Sequence, residues 1–380
     1  MKKEKTPLIR QSGFQTLLSS LICVLGGLII GYIVLLLIEP SGAFGAITAI
    51  MKSFFRYPGK MMLKYFGQTL VRTVPLLMCS LSVLFAYKVG MFNIGVAGQY
   101  VAGACGCLYA ALPWKLPWLP CLLIGMVAAG LLGAISGLLK TKCNVNVVIS
   151  GIMLNWITLY LTNLILGKVK SPNSPYTLEL RGSNPGALLP RLGLDKLFNN
   201  EKSVTIAIPL AVIIAVAIWF ILSKTKFGYE LKATGHNYHA ARYAGMKENW
   251  NIILTMFIAG ALAGLGAGML FLTGIENWET TTSSVPAMGF NGIAVAFLGG
   301  LSPIGSILSS FFIQYITFGG GNVDLQVYSS QISSLISSLI IYLCAFVGFF
   351  KFFIQERIRK KDEALAVAKT AETREGGDKE

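Results

Sequence analysis

The side chains that could do chemistry are few, and their spacing argues against catalysis. No Asp or Glu occurs between Glu39 and Glu179, and the seventeen acids of the chain all fall outside its long apolar runs. Proton-driven carriers rely on ionisable groups inside the membrane, yet both histidines, His236 and His239, lie together in a basic stretch, 224–251. No G-x-x-x-x-G-K-S/T string is present to cradle a nucleotide phosphate. No nucleophile stands beside a base, and no two carboxylates are set for acid–base work. The seven cysteines (Cys23, Cys79, Cys105, Cys107, Cys121, Cys143 and Cys344) lie almost all in apolar runs, and Cys105 and Cys107 are closer than the two-residue gap of a zinc pair. They read as small buried hydrophobes, so no metal, cofactor or enzymatic activity is expected. A membrane protein with no energy-coupling chemistry of its own either conducts passively or draws energy from a partner.

The stretch 224–251, KTKFGYELKATGHNYHAARYAGMKENWN, is where a partner would bind. Asn237 reads as an N-cap, Tyr238 to Ala244 as a short helix and Gly245 as its stop. Two helical turns are not stable alone in water, so something must hold them. Ala240, Ala241 and Ala244 would let a backbone approach another surface closely, whereas Leu, Phe or Trp would anchor a helix among lipid headgroups. The pattern favours a protein partner, the plain alternative being a solvated connector.

The surrounding elements are those of a polytopic all-α membrane bundle. Hydrophobic residues make up 54% of the 380 positions and charged residues 13%, with a mean hydropathy of +0.64. The net charge of +15 is spread between apolar runs, not gathered on one face, so nucleic acid is not expected as a partner. Spans are expected at 17–38, 66–87, a Gly-interrupted run ending near Leu112, 119–138, 146–166, 204–222, 252–273, two spans or half-spans within 289–316 and a last one at 332–350, about ten in all. Residues 42–62 read as interfacial, and the first apolar run lacks the small-residue site of a cleavable signal peptide. This divides the chain into a cytoplasmic start (1–16), a transmembrane domain (17–350) with a cytoplasmic loop at 223–251 and an extracellular loop at 167–203, and a charged cytoplasmic tail (351–380). Twenty Lys and Arg fall on the inner side in this arrangement, eleven outside and Arg72 within a span, which agrees with the positive-inside rule and puts both termini in the cytoplasm of a plasma-membrane protein.

Two Phe-Asn strings, MFNIGVAG and GFNGIAVA, interrupt apolar runs in opposite halves, as discontinuous helices do in carriers built from inverted repeats. Irregular backbone at membrane depth must be buried or line a cavity. Asn93, Gln99, Asn155 and Asn291 could hydrogen-bond a passing solute, with Phe92 and Phe290 giving it an apolar face. The alternative is that these amides tie helices together. Arg72 is expected to snorkel or to meet a helix C-terminus, with a place in the path as the second reading.

FNIGVAGQ (92–99), GHNYHAARYAG (235–245) and GFNGIAVAFLGG (289–300), in this order, resemble the permease subunits of ATP-binding cassette importers for nucleosides, simple sugars and branched-chain amino acids. The resemblance covers about residues 60–350 and is closest to the nucleoside branch, which is served by a BMP-type substrate-binding lipoprotein. It implies a coupling helix that docks on a separate cytoplasmic ATPase, carried here by Gly235, Asn237, Ala240, Ala241, Ala244 and Gly245. His239 stands where some importer classes place an acidic residue. It also implies a second permease, identical or similar, an extracellular lipoprotein, and a nucleoside as the transported solute. A pentose or other simple sugar is the neighbouring choice, and an ATPase-independent facilitator is the alternative of another class.

Overall fold

The computed structural model describes residues 12–323, 335, 336, 338, 339, 342, 343, 346–360 and 363. The N-terminal basic residues Lys2, Lys3, Lys5 and Arg10, most of the expected last span and most of the tail lie outside them. The described residues form an all-α bundle whose only strand-like features are two isolated bridges, Lys170 with Thr177 and Tyr176 with Glu279.

Helix α1 (Ser12–Ile38) is followed by α2 (Pro40–Lys52). Glu39 caps α2, accepting from the Ser41 amide at 3.4 Å and the Ser41 hydroxyl at 2.7 Å, and these donors hold its carboxyl below the usual carboxylate range. At 13 residues, about 20 Å, α2 is too short to cross a bilayer. It lays Ala43, Ala46, Ala49 and Ile50 against its neighbours. Next come α3 (Gly59–Lys88), α4 (Val96–Ala111), α5 (Trp118–Cys143) and α6 (Val147–Leu166). The region 223–251 holds the C-terminal end of α7 (Ala207–Lys224), then α8 (Lys226–His236) and α9 (Tyr238–Tyr243). Helices α10 (Glu248–Phe271), α11 (Ala287–Leu298) and α12 (Pro303–Gly320) complete the bundle.

Six described helices are long and apolar enough to cross a membrane: Leu18–Ile38, Gly59–Lys88, Trp118–Cys143, Val147–Val169, Ala207–Lys224 and Glu248–Phe271. A polytopic membrane protein follows, with six such helices among the described residues where about ten spans are expected. Helix α4 has 16 residues and α11 only 12, because the chain leaves helical geometry on the N-terminal side of each. Apolar composition alone cannot register such a break.

Burial ranks the helices. The most apolar stretch of α3 is 89% buried and that of α10 is 72% buried, against 28% for α1 and α7, so the first pair is the axis and the second the rim. Helix α10 packs tightly on α4 and α5 because small residues face each other: Gly103 of α4 abuts Gly264, and Gly260 abuts the Ala129 carbonyl of α5 so closely that neither site has room for a Cβ. Close backbone approach of this kind replaces the hydrophobic drive that lipid does not supply.

The loop after α6 is a folded cap. Asn184 Nδ2 donates to the carbonyls of Ala111 (2.8 Å) and Leu116 (3.0 Å), and Lys115 Nζ donates to the Ser183 carbonyl at 2.8 Å. Leu189 N donates to Leu272 O at 2.9 Å, and Trp278 Nε1 to Asn163 Oδ1 at 2.9 Å. The cap therefore ties the ends of α4, α6 and α10 at one face of the bundle.

Candidate functional site

The first interruption, 89–95, is built around amides. Asn93 and Gln99 bond each other twice, Asn93 Nδ2 to Gln99 Oε1 at 2.8 Å and Gln99 Nε2 to Asn93 Oδ1 at 3.2 Å, and Asn93 Nδ2 also reaches Ser82 Oγ at 3.3 Å. From α6, Asn155 Oδ1 accepts from Gly98 N at 2.7 Å while its Nδ2 donates to Ile94 O at 3.2 Å. All three amides are 1–2% exposed. They satisfy backbone and side-chain groups that the broken helix would otherwise leave unpaired in an apolar medium. As placed, they present no polar surface outward.

The second interruption differs. Gly289 lies against the start of α4, and a Cβ there would come within 2.7 Å of Ala97 N, so the two broken segments touch at their helix beginnings. Phe290 and Asn291 are one and two residues further round α11, roughly 100° and 200° from that contact. Phe290 is 40% exposed; Asn291 is half-buried and its side chain makes no hydrogen bond within the described residues. Phe92 is half-buried with its ring 6.2 Å from Phe297. Thus Asn93 and Gln99 pair with each other while Asn155 holds the backbone beside them, whereas Phe290 is exposed and Asn291 is half-buried without a hydrogen bond within the described residues.

The region 223–251 folds as two consecutive capped helices. Thr225 Oγ1 accepts from Gly228 N at 3.1 Å to start α8, and Asn237 Oδ1 accepts from Ala240 N at 2.9 Å to start α9. At the far end Gly245 takes φ +77°, Met246 N bonds Ala241 O at 3.1 Å, and Gly245 N bonds Arg242 O at 3.0 Å. An ion pair from Arg242 Nε to Glu248 Oε1 (3.7 Å) and a bond from Tyr238 Oη to Asn249 Oδ1 (3.0 Å) fasten α9 to α10. Of the expected docking residues, Ala241 faces inward at 3% exposure, while Gly235, Asn237, His239, Ala240, Ala244 and Gly245 are exposed, as is Tyr243. Gly235 also packs on the Lys88 carbonyl, and a Cβ there would lie 2.9 Å from Gly90 N and closer still to Lys88 O, so α8 bears directly on the first interruption.

The residues that sequence missed are Tyr243, which is 93% exposed beside the alanines, and the partner of Arg72. Arg72 Nη1 lies 3.6 Å from Glu276 Oε1, so the arginine is paired with a carboxylate and not with a helix C-terminal carbonyl. No group of three or more His, Cys, Asp or Glu that could hold a metal occurs among the described residues.

Comparison with known proteins places these features. Residues 65–345 match the family described as branched-chain amino acid transport system / permease component. The chain is 33% identical to the guanosine ABC transporter permease protein NupP of Bacillus subtilis, over 91% of this chain and 97% of that protein. It is 32% identical to the nucleoside ABC transporter permease protein NupB of Lactococcus lactis, over 82% and 86%. It is 28% identical to the glucose ABC transporter permease protein TsgB13 of Haloferax volcanii, over 86% and 87%. No solved structure matches.

Proposed function

This chain belongs to the branched-chain amino acid transport system / permease component family, and we propose that it is the membrane-spanning subunit of an ATP-binding cassette importer that carries nucleosides into the cell. The observation that carries this reading is end-to-end similarity to permeases named for guanosine and nucleosides. A sugar is the second reading, favoured by similarity of comparable extent to a glucose permease.

In this proposal the chain has no ATPase of its own and works with three partners: a cytoplasmic ATPase, a second permease of the same or similar sequence, and an extracellular substrate-binding lipoprotein. Both termini are cytoplasmic. Ten passages of the bilayer are reached if α4, α11 and α12 count as partial crossings and 332–350 supplies the last. The tail from 351 and loop 224–251 then face the ATPase, and the cap at 167–203 faces the lipoprotein.

The coupling step is mechanical. The ATPase grips the outer face of α9 through His239, Ala240, Tyr243 and Ala244, and Asn237 and Gly245 hold the helix in shape. Closure of the ATPase tilts α8–α9 as a unit. Because Gly235 rests on Lys88 and Gly90, that tilt reaches the interruption held by Asn93, Gln99 and Asn155. The solute passes the other interruption, with Phe290 and Asn291 offering it an apolar face and an amide and Phe92 flanking them. Uptake of radiolabelled nucleoside in competition with ribose, in a strain lacking only this chain, tests the proposal. Loss of nucleoside uptake supports it, and loss of ribose uptake alone would move the assignment to the sugar.

A further inference from the structure

The corner between the first two long helices takes no part in the coupling or the path described above. It consists of α2 and the 3-10 turn Ser53–Arg56, and it joins the end of α1 to the start of α3. Both of those helices are long enough to cross a membrane, so the corner lies where they leave the bilayer on one side. At 30 residues, about 45 Å, α3 exceeds the apolar core, and its first turns stand among the headgroups. The alanine side of α2 packs on α1 and α12. Its other side is large and apolar. Phe44 and Met51, two turns apart on one face, are 70% and 50% exposed, and Phe55 on the turn is 63% exposed. Three exposed cations flank them, Lys52, Arg56 and Lys60. Lys52 and Lys60 make no ion pair or hydrogen bond within the described residues, and Arg56 spends one N–H, from Nη1 to the Asn322 carbonyl at 3.0 Å. The turn that carries them is fixed. Ser53, buried and at φ +43°, donates from Oγ to Tyr315 O at 2.9 Å and accepts at its carbonyl from Asn322 Nδ2 at 3.2 Å, while Tyr57 Oη donates to Asn322 Oδ1 at 3.0 Å. A positive φ costs a serine free energy, and these bonds to the end of α12 hold it there.

We propose that this corner lies in the headgroup layer and binds anionic phospholipid, with Phe44, Met51 and Phe55 in the acyl boundary and Lys52, Arg56 and Lys60 on the phosphates. Bulky apolar side chains beside unpaired cations, on a short helix at the membrane surface, are what such a contact needs. The free N–H groups of Arg56 suit phosphate oxygens in particular. In the orientation proposed above this is the outer surface, where Lys and Arg are the exception, and a lipid phosphate gives them a counter-charge that the chain does not: no Asp or Glu occurs between Glu39 and Glu179. An acidic protein would match the cations but leave the three apolar side chains without an apolar partner. Lipid accounts for both. The corner also packs on α1, whose span is only 28% buried and borders lipid. Neither the solute nor the ATPase enters this contact.

The test is photo-crosslinking in proteoliposomes that hold the complete transporter with its ATPase and lipoprotein. Phosphatidylglycerol and phosphatidylcholine, present in equal amounts and each carrying a diazirine near the headgroup in separate preparations, are mapped by mass spectrometry to residues 44–60. Labelling of this segment by phosphatidylglycerol is expected to exceed that by phosphatidylcholine by about fivefold or more, and Lys52→Gln or Lys60→Gln should each lower the ratio by about fivefold, the scale of one cation at an anionic surface. Lys52→Arg with Lys60→Arg should keep it. Equal labelling by the two lipids, or a ratio unchanged when both lysines become Gln, would overturn the site. So would a ratio lost in the arginine pair as well, which would mark a structural effect of altering these positions. Protection of the segment from both lipids in the unaltered transporter would show that a protein covers the corner, and would overturn the lipid contact without touching the transport reading.

Discussion

The two interrupted helices carry nearly the same letters and use them differently. At the first, Asn93, Gln99 and Asn155 spend their amides on each other, on Ser82 and on the backbone of Ile94 and Gly98, and all are buried. At the second, Asn291 has no hydrogen bond within the described residues and Phe290 stands 40% exposed. A Phe-Asn pair at a helix break is thus no functional signal in itself. Its meaning depends on whether neighbouring helices supply complementary groups, as Ser82 of α3 and Gln99 of α4 do for Asn93.

Changes at the first break should cost the fold, and changes at the second should cost transport. The largest effect is expected from Gly98→Val, because a Cβ at that position would lie 2.7 Å from Asn155 Oδ1 and 2.8 Å from Asn155 Cα, and backbone cannot yield as a side chain can. The cost should reach or exceed the roughly 1–3 kcal/mol of ordinary overpacking, seen as loss of monodisperse protein on size exclusion in detergent. Asn155→Leu comes next. It strands the Gly98 N–H and the Ile94 carbonyl, for about 1–3 kcal/mol, and thermal unfolding in detergent should begin several degrees lower. A variant as stable as the original would mean that the network is dispensable.

Asn291→Leu should leave the unfolding midpoint within about 1 °C, since no bond is lost, while reducing saturated uptake several-fold. A lowered midpoint there would erase the contrast between the two breaks. The two faces of α9 repeat the contrast on a smaller scale. Ala240→Glu should assemble normally and uncouple ATP hydrolysis from uptake, whereas Ala241→Glu, which buries a charge against the chain's own core, should fail at folding first. Pull-down of the ATPase beside a thermal melt separates the two.

Much of this was legible in the sequence where the cause is local. Asn237 and Gly245 mark the ends of α9 because capping depends on residues a few positions apart. Helix α8 was not read, since its buried side is only Gly228, Leu231 and Thr234 and gives no apolar stripe. The inward turn of Ala241 was equally hidden, because a six-residue helix with small residues on several sides has no preferred face. The tie of Arg72 to Glu276 joins residues two hundred positions apart and leaves no mark in either neighbourhood. Asn93, Gln99 and Asn155 were picked out by type, but only their geometry shows which groups each one satisfies.

The central claim is that energy reaches this chain through α8–α9 from an ATPase and from no gradient of its own. The direct test is nucleoside accumulation in proteoliposomes by the purified chain alone, under an imposed proton or sodium gradient, beside the complete transporter supplied with ATP. The account predicts no concentration of solute by the chain alone and ATP-dependent accumulation by the complete assembly. Gradient-driven accumulation by the lone chain would contradict it.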